Sequence, residues 1–253
     1  MAVRALLVRG MCVGVLSGLL SWLFSYLVGE PGIEGALEFE DRLAHAAGES
    51  HGVELVSRGV QSTIGLGTAV ILFGVATGGL FALAYAVAYG RIGALSPRAT
   101  AAVLAAGAFV VVFLVPFLKY PANPPASTDD GTVGQRTGLY LVLVLASVML
   151  AVASTAVGRR LTPRVGAWNA VLLAAGLYVV ITGVVMLILP TVDETPADFP
   201  ATVLYDFRVA SLGGQLVLWA AIGLLFGWLT DRNLRSPRTA PHRQLGRRRP
   251  APR

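Results

Sequence analysis

Residues 116–125 read Pro116-Phe117-Leu118-Lys119-Tyr120-Pro121-Ala122-Asn123-Pro124-Pro125 and lie between two long apolar runs. Proline lacks a backbone N–H and clashes with the preceding helical turn, so four prolines in ten positions predict that a helix ends here in a stiff turn. The turn carries a cation, a phenol and an amide. We interpret it as a polar corner between two membrane helices; the alternative is a helix stop with an interfacial anchor.

The composition predicts a polytopic helical membrane protein. The chain has 253 residues, of which 55% are hydrophobic and 13% charged, whereas soluble domains carry roughly a quarter charged residues. The apolar runs reach the length of about 20 residues that a membrane helix needs, and the ten-residue alternation of a β-barrel is missing from the sequence. We therefore predict an all-α fold with six transmembrane helices in three antiparallel hairpins, at about 5–28, 62–89, 99–118, 137–157, 166–189 and 209–229.

The charges segregate between the predicted connections. One side of the membrane receives 15 cations and the single acid Asp231, and the other side receives 5 cations and 13 acids. By the positive-inside rule, both termini of this multi-pass protein are predicted to be cytoplasmic. Residues 1–230 form the transmembrane domain, with the first span as a retained signal anchor. Residues 231–253 are predicted to be a disordered basic cytoplasmic tail that contacts lipid headgroups rather than nucleic acid.

The outer segment 30–57 contains a predicted amphipathic helix at 33–47. At 100° per residue, four polar side chains fall within about 60° of one another on this helix, and one histidine follows it. These candidate metal ligands are Glu34, Glu38, Asp41, His45 and His51. Carboxylates and imidazoles suit a divalent ion such as Co²⁺, Ni²⁺ or Zn²⁺. The alternative is a solvated acidic face.

Small residues recur at every fourth position in three of the predicted spans. The sets are Gly10, Gly14 and Gly18, then Gly74 and Gly78, then Gly223 and Gly227. Such faces let membrane helices approach closely, so we predict that they serve packing rather than a pore lining.

The corners indicate a parallel pseudo-three-fold repeat of the hairpins. Pro31, Pro116 and Pro190 each follow an apolar run, and each returning helix opens with an arginine and a glutamine. We predict that these residues and the corner residues line an outer vestibule: Arg58, Gln61, Lys119, Asn123, Gln135, Arg136, Asp198, Arg208 and Gln215. The alternative is structural ion pairs that hold the corners, with Glu30, Asp193, Asp198 and Asp206 as partners.

Catalytic patterns are missing from the sequence. It contains no Walker loop, no dinucleotide-binding glycine pattern and no HExxH helix, and the predicted span interiors carry no Asp, Glu, His or Lys. We therefore predict that the protein is not an enzyme, holds no covalently bound cofactor and does not bind nucleic acid. An ion path made only of hydroxyls, amides and carbonyls indicates a second, partner protein or a homo-oligomer.

Five segments together resemble the CbtA family of predicted cobalt transporter subunits, which are bacterial integral membrane proteins, over about residues 4–231. They are Val56-Ser57-Arg58-Gly59-Val60-Gln61, residues 116–125, Gly134-Gln135-Arg136-Thr137, Asp193-Glu194-Thr195-Pro196-Ala197-Asp198-Phe199-Pro200 and Ala210-Ser211-Leu212-Gly213-Gly214-Gln215. The resemblance implies a component of a cobalt uptake system linked to cobalamin supply, with Co²⁺ as the transported ion. It also implies a small, single-span, histidine-bearing partner subunit.

Two functions are consistent with the sequence. The first is a membrane permease subunit for uptake of a divalent transition-metal cation, namely cobalt. The alternative is a non-transporting membrane scaffold that assembles with a small partner protein. Relatives often have a more histidine-rich first outer segment, of which His45 and His51 are the counterparts here.

Overall fold

The computed structural model describes residues 3–48, 57–125, 127–128 and 131–235, and all regular structure within them is helical. The helices in chain order are α1 (Val3–Phe24), α2 (Glu30–Ala47), α3 (Arg58–Val60), α4 (Leu66–Ala88), α5 (Pro97–Ala108), α6 (Val115–Lys119), α7 (Val133–Ile188) and α8 (Ala201–Arg235). Three π-helical turns join consecutive helices, at Ser25–Gly29, Gln61–Gly65 and Phe109–Leu114. The predicted all-α fold is confirmed for this part of the chain.

Five helical runs in the described residues are long and apolar enough to cross a membrane: Val3–Ala46, Gln61–Ala88, Pro97–Lys119, Val133–Ile188 and Ala201–Arg235. Four of them coincide with one predicted span each. The fourth run, α7, contains nearly all of the two remaining predicted spans, 137–157 and 166–189. The last run continues to Arg235, so the predicted tail begins inside α8, and its residues from 236 onward lie outside the described part.

Helix α7 is a 56-residue run that is interrupted at one residue. Gly166 has φ 80° and ψ 160°, a backbone conformation that glycine adopts without steric cost. The Ser147 hydroxyl lies 2.6 Å from that of Tyr178, and a Cβ added at Gly158 would lie 2.9 Å from the Cβ of Ala174, so the two halves pack against each other in antiparallel fashion. Residues 158–165 were predicted to be a loop between two spans, but they are helical. Pro163 is accommodated inside the helix, and the reversal falls at the glycine, where no side chain opposes it.

Two of the three corner prolines lie inside helical turns, whereas the helix predicted to end within residues 116–125 does end there, at Lys119. Pro31 and Pro116 lie in the first turns of α2 and α6, each two residues after a π-helical turn. Proline is tolerated in the first turn because its missing N–H would have no partner there, and the preceding π turn interrupts the regular bonding pattern. Only Pro190 follows the end of its helix, α7.

The glycine faces of α1 and α4 pack directly against each other. A Cβ added at Gly10 or Gly14 would overlap the carbonyl oxygen of Gly78 or Gly74, respectively. A Cβ added at Gly78 would also lie 2.9 Å from the Cα of Gly14. The predicted packing role is therefore confirmed for these residues. Helices α1 and α4 are antiparallel, because residue numbers rise along α1 while those of the contacting residues fall along α4.

Helix α8 packs against both α1 and α5. The Ser21 hydroxyl of α1 donates to the Gly214 carbonyl at 2.9 Å. Gly223 and Gly227 face α5, where added Cβ atoms would lie 2.6 and 3.1 Å from the Cβ atoms of Ala105 and Ala101. Buried aromatic rings of α4 and α8 fill the centre, since Tyr85 and Phe226 meet edge to face at 5.0 Å. Helices α1, α4, α5 and α8 thus form the main bundle.

One end of this bundle, here called the basic end, is held by ion pairs around a nearly buried carboxylate. Asp231 has a side chain that is 5% exposed, and its oxygens lie 2.8 Å from Arg98 Nε and 3.1 Å from Arg235 Nε. Next to it, Arg9 donates to the Thr230 hydroxyl at 2.9 Å. The single acid counted on the arginine-rich side therefore connects the start of α5 to the end of α8.

We expect Asp231→Asn to lower the free energy of unfolding in detergent by about 1 kcal/mol, because both arginine partners are largely exposed and such pairs contribute modestly. Thermal unfolding at low and high salt measures the effect, and added salt should narrow the difference from the parent protein. Asp206→Asn, at an exposed position of α8, is the matched control. Equal shifts in the two variants would contradict the role assigned to Asp231.

Candidate functional site at the proline corners

The end of the molecule opposite the basic end is built from two proline-rich corners. The first corner is residues 120–125, after α6, and the second corner is residues 190–200, between α7 and α8. The Tyr120 hydroxyl donates to the Pro190 carbonyl at 2.7 Å. Lys119 Nζ donates to the Thr191 hydroxyl at 3.3 Å. The corners, which are 70 residues apart in sequence, therefore contact each other.

Both corners are stiff and partly buried. Pro116 and Pro124 are fully buried, and the Ser127 hydroxyl donates to the Pro124 carbonyl at 2.7 Å. Tyr120 is also buried, which raises the pKa of its phenol and keeps it protonated as a hydrogen-bond donor. In the second corner, the buried Phe199 packs on Phe39 of α2 with ring centroids 5.0 Å apart. Helix α2 thus packs against the second corner.

Arg208 of α8 holds the first corner. Its Nη2 donates to Asn123 Oδ1 at 2.8 Å, and its Nε donates to the Ala122 carbonyl at 3.3 Å. The guanidinium therefore fixes both the backbone and the amide of this turn. Asn123 and Arg208, two of the predicted vestibule residues, are thus brought together from distant positions in the sequence.

Arg136, at the start of α7, is paired with the second corner. Its Nη1 lies 3.3 Å from Glu194 Oε2, and the Glu194 side chain is only 2% exposed. Neither Glu194 oxygen makes a hydrogen bond of good geometry within the described residues. Arg136 also lines a cavity of about 310 Å³, together with Tyr120, Ala122 and Tyr140. The arginine that pairs with this buried carboxylate therefore lines a cavity next to the first corner.

Glu194 was not predicted as the partner of Arg136. The acids expected near the corners included Asp193, Asp198 and Asp206, whose side chains are all exposed. Asp193 and Glu194 are neighbours in a non-helical segment, where Asp193 is exposed and the Glu194 side chain is buried. A count of acids near the corner could not identify which one is buried.

Four further residues of the predicted vestibule are wholly or partly exposed in the described structure. Gln61, Gln135 and Asp198 are exposed, and Gln215 is partly exposed on α8. For Arg58 only the backbone is described, in α3. Their shared vestibule, and the pseudo-three-fold repeat on which it was based, stay predictions.

The acidic stripe of α2 is present as an exposed helix face. Glu34, Glu38, Asp41 and His45 are exposed, while Ala36 and Phe39 are buried on the other side. Within the described ranges, no group of three or more His, Cys, Asp or Glu side chains could hold a metal ion. His51 lies outside those ranges. Metal capture by this stripe therefore stays a prediction.

These features define a class of protein: an all-helical membrane protein whose main bundle carries polar, proline-rich corners at one end. The model of the family described as "Probable cobalt transporter subunit (CbtA)" matches residues 3–231, nearly the whole chain. The chain belongs to this family, and the resemblance drawn from its corner motifs is confirmed. No curated protein and no solved structure matches it significantly.

Proposed function

We propose that this chain is the membrane-embedded permease subunit of a system that takes up a divalent transition-metal cation, Co²⁺. The main support for this proposal is the family match over residues 3–231, which covers both corners and nearly all of the five apolar helical runs. A non-enzymatic function accords with membership of a transporter family. The same proposal includes a role in cobalamin supply.

We further propose six membrane spans with both termini in the cytoplasm. As one straight helix, α7 would measure about 84 Å, far more than a hydrocarbon core of about 30 Å. Its halves run antiparallel about Gly166, which supports two spans. Arg9 and Arg98 lie at one end of the bundle, and the positive-inside rule then assigns that end to the cytoplasm of the bacterial cell.

In this orientation the corner end faces outward, where the cation arrives. Asn123 Oδ1 and the Glu194 carboxylate are oxygen ligands of the kind that hard and borderline cations accept. Both oxygens now face arginines, so a cation near them must displace a guanidinium or pass with its water shell. We propose that Arg136 and Arg208 thereby set the access to the transport path. The acidic face of α2 raises the local cation concentration outside.

The predicted span interiors carry no Asp, Glu, His or Lys, so they offer few ligands to a doubly charged ion, which supports a second component. We propose a small single-span partner subunit that carries histidines, or a homo-oligomer of this chain. The family description, which names a transporter subunit, supports a partner. The other candidate function, a non-transporting scaffold that only assembles with that partner, rests on the same description.

The direct test is cobalt accumulation in cells that lack the gene, with and without the restored parent gene, at limiting external cobalt. We expect the restored cells to accumulate more cobalt; equal accumulation would remove the proposal. Reconstitution in liposomes separates the two functions. Cobalt entry that requires this chain supports the permease, whereas entry through the partner alone would favour the scaffold.

We expect Asn123→Ala to reduce cobalt uptake roughly tenfold at an unchanged amount of protein in the membrane. A hydrogen bond to a charged group contributes about 1.5–3 kcal/mol, and its loss releases Arg208 from the first corner. Asp198→Ala should also reduce uptake, because it removes an acid from the outer face. Thr202→Ala, at an exposed position in the first turn of α8, is the control. Normal uptake in both corner variants would contradict this site.

A further inference from the structure

A second, larger cavity lies toward the basic end and takes no part in the corner site. It has a volume of about 740 Å³ and opens between the two halves of α7, the α4–α5 connection and the π turn Phe109–Leu114. This volume is within the range of about 300–1,000 Å³ that is common for small-molecule sites. Its walls on α7 are small residues, among them Ala151, Gly158, Ala170 and Ala174.

The threonine and tyrosine hydroxyls along these walls form hydrogen bonds within the protein itself. Thr155 and Thr162 bond to carbonyls one turn back, at 2.7 and 3.0 Å. The Tyr178 hydroxyl meets Ser147, which in turn donates to the Val111 carbonyl at 2.7 Å. The wall therefore offers mainly methyl and methylene groups to a ligand, together with the small polar side chain of the buried Ser154.

Two arginines also line this cavity. Arg91 belongs to the α4–α5 connection and Arg159 to the first half of α7, and both side chains are exposed. Arg91 uses Nη1 to bond the Val87 carbonyl at 2.8 Å, and a guanidinium has further donors for a second acceptor. The cavity is thus apolar for most of its length and cationic at one end.

We propose that this cavity binds one anionic phospholipid, with its phosphate at Arg91 and Arg159 and an acyl chain against the alanine wall of α7. The charge pattern selects this occupant, since arginine pairs well with phosphate and a second cationic group in a zwitterionic headgroup would be repelled. The apolar wall lies in a helix long enough to cross the bilayer, where acyl chains are the solvent. The site is separate from the corner residues and does not depend on cobalt transport.

The test is native mass spectrometry of the full chain in detergent, with phosphatidylglycerol or phosphatidylcholine added. We expect one phosphatidylglycerol to be retained per chain, and phosphatidylcholine to bind much more weakly. Arg91→Gln/Arg159→Gln should weaken phosphatidylglycerol binding roughly thirtyfold, because it removes two cations near the headgroup. Arg160→Gln/Arg164→Gln removes two nearby arginines that do not line the cavity and should leave binding unchanged.

A second variant pair tests the apolar wall without altering charge. Ala175→Trp fills the cavity and should reduce binding, whereas Val180→Trp, at a 64% exposed position outside the cavity lining, should not. Equal retention of phosphatidylglycerol and phosphatidylcholine by the parent protein would overturn the proposal. This comparison uses no variant, so it remains decisive if a variant fails to fold. Capture of another polypeptide, or of a second copy, by a photoreactive residue at position 175 would also overturn it.

Discussion

Replacing Gly14 by leucine is expected to abolish assembly of the bundle, with a loss of at least about 3 kcal/mol in the free energy of unfolding. The site has no room even for a methyl group, because an added Cβ would overlap the Gly74 carbonyl oxygen. Membrane helices associate through close packing, since lipid tails are as apolar as the side chains. Forcing α1 away from α4 would therefore remove the contact on which their association depends.

Gly107→Leu provides the matched control for this variant. Gly107 lies in α5, another apolar helix, and an added Cβ there would meet nothing within 4 Å. Size-exclusion profiles in detergent and thermal unfolding of both variants would measure the difference. A Gly14→Leu protein that elutes and unfolds like Gly107→Leu would contradict the close packing of α1 on α4.

The second large effect is expected for Arg136→Gln, which should destabilise the protein by about 3 kcal/mol. Removing the arginine leaves the carboxylate of Glu194, 2% exposed, without its cation. Arg136 itself is 23% exposed, so we place the effect at the lower end of values for buried pairs. The double variant Arg136→Gln/Glu194→Gln should recover most of the loss, because it removes both charges.

The cycle of two single variants and the double variant isolates the coupling between the side chains, which we expect to be about 1–3 kcal/mol. Arg160→Gln, an exposed arginine of α7, is the control for loss of positive charge. If the loss of stability in the double variant equalled the sum of the two single losses, the pair would not be a coupled unit. Cobalt uptake by Glu194→Gln at normal stability would further separate a role in transport from a role in folding.

Several parts of the fold follow from sequence patterns alone. Apolar runs of membrane length predicted the positions of the helices, because a helix satisfies its own backbone groups without water. Glycines at every fourth position, such as Gly14 and Gly74, predicted where helices touch, since a missing side chain at that spacing clears one continuous face. The breaks were less predictable: a helix ends within residues 116–125 as expected, but π-helical turns before Pro31 and Pro116 let the helical course continue past both prolines.

The corner motifs also identified the family, whose model matches residues 3–231. The sequence by itself thus determined the helical membrane class, the glycine contacts and the family. Only the tertiary structure decided that Glu194 rather than Asp193 pairs with Arg136, that Arg208 holds Asn123, and that Asp231 joins α5 to α8. These pairings depend on which side chains face each other across helices that are distant in sequence, and no local periodicity encodes that choice.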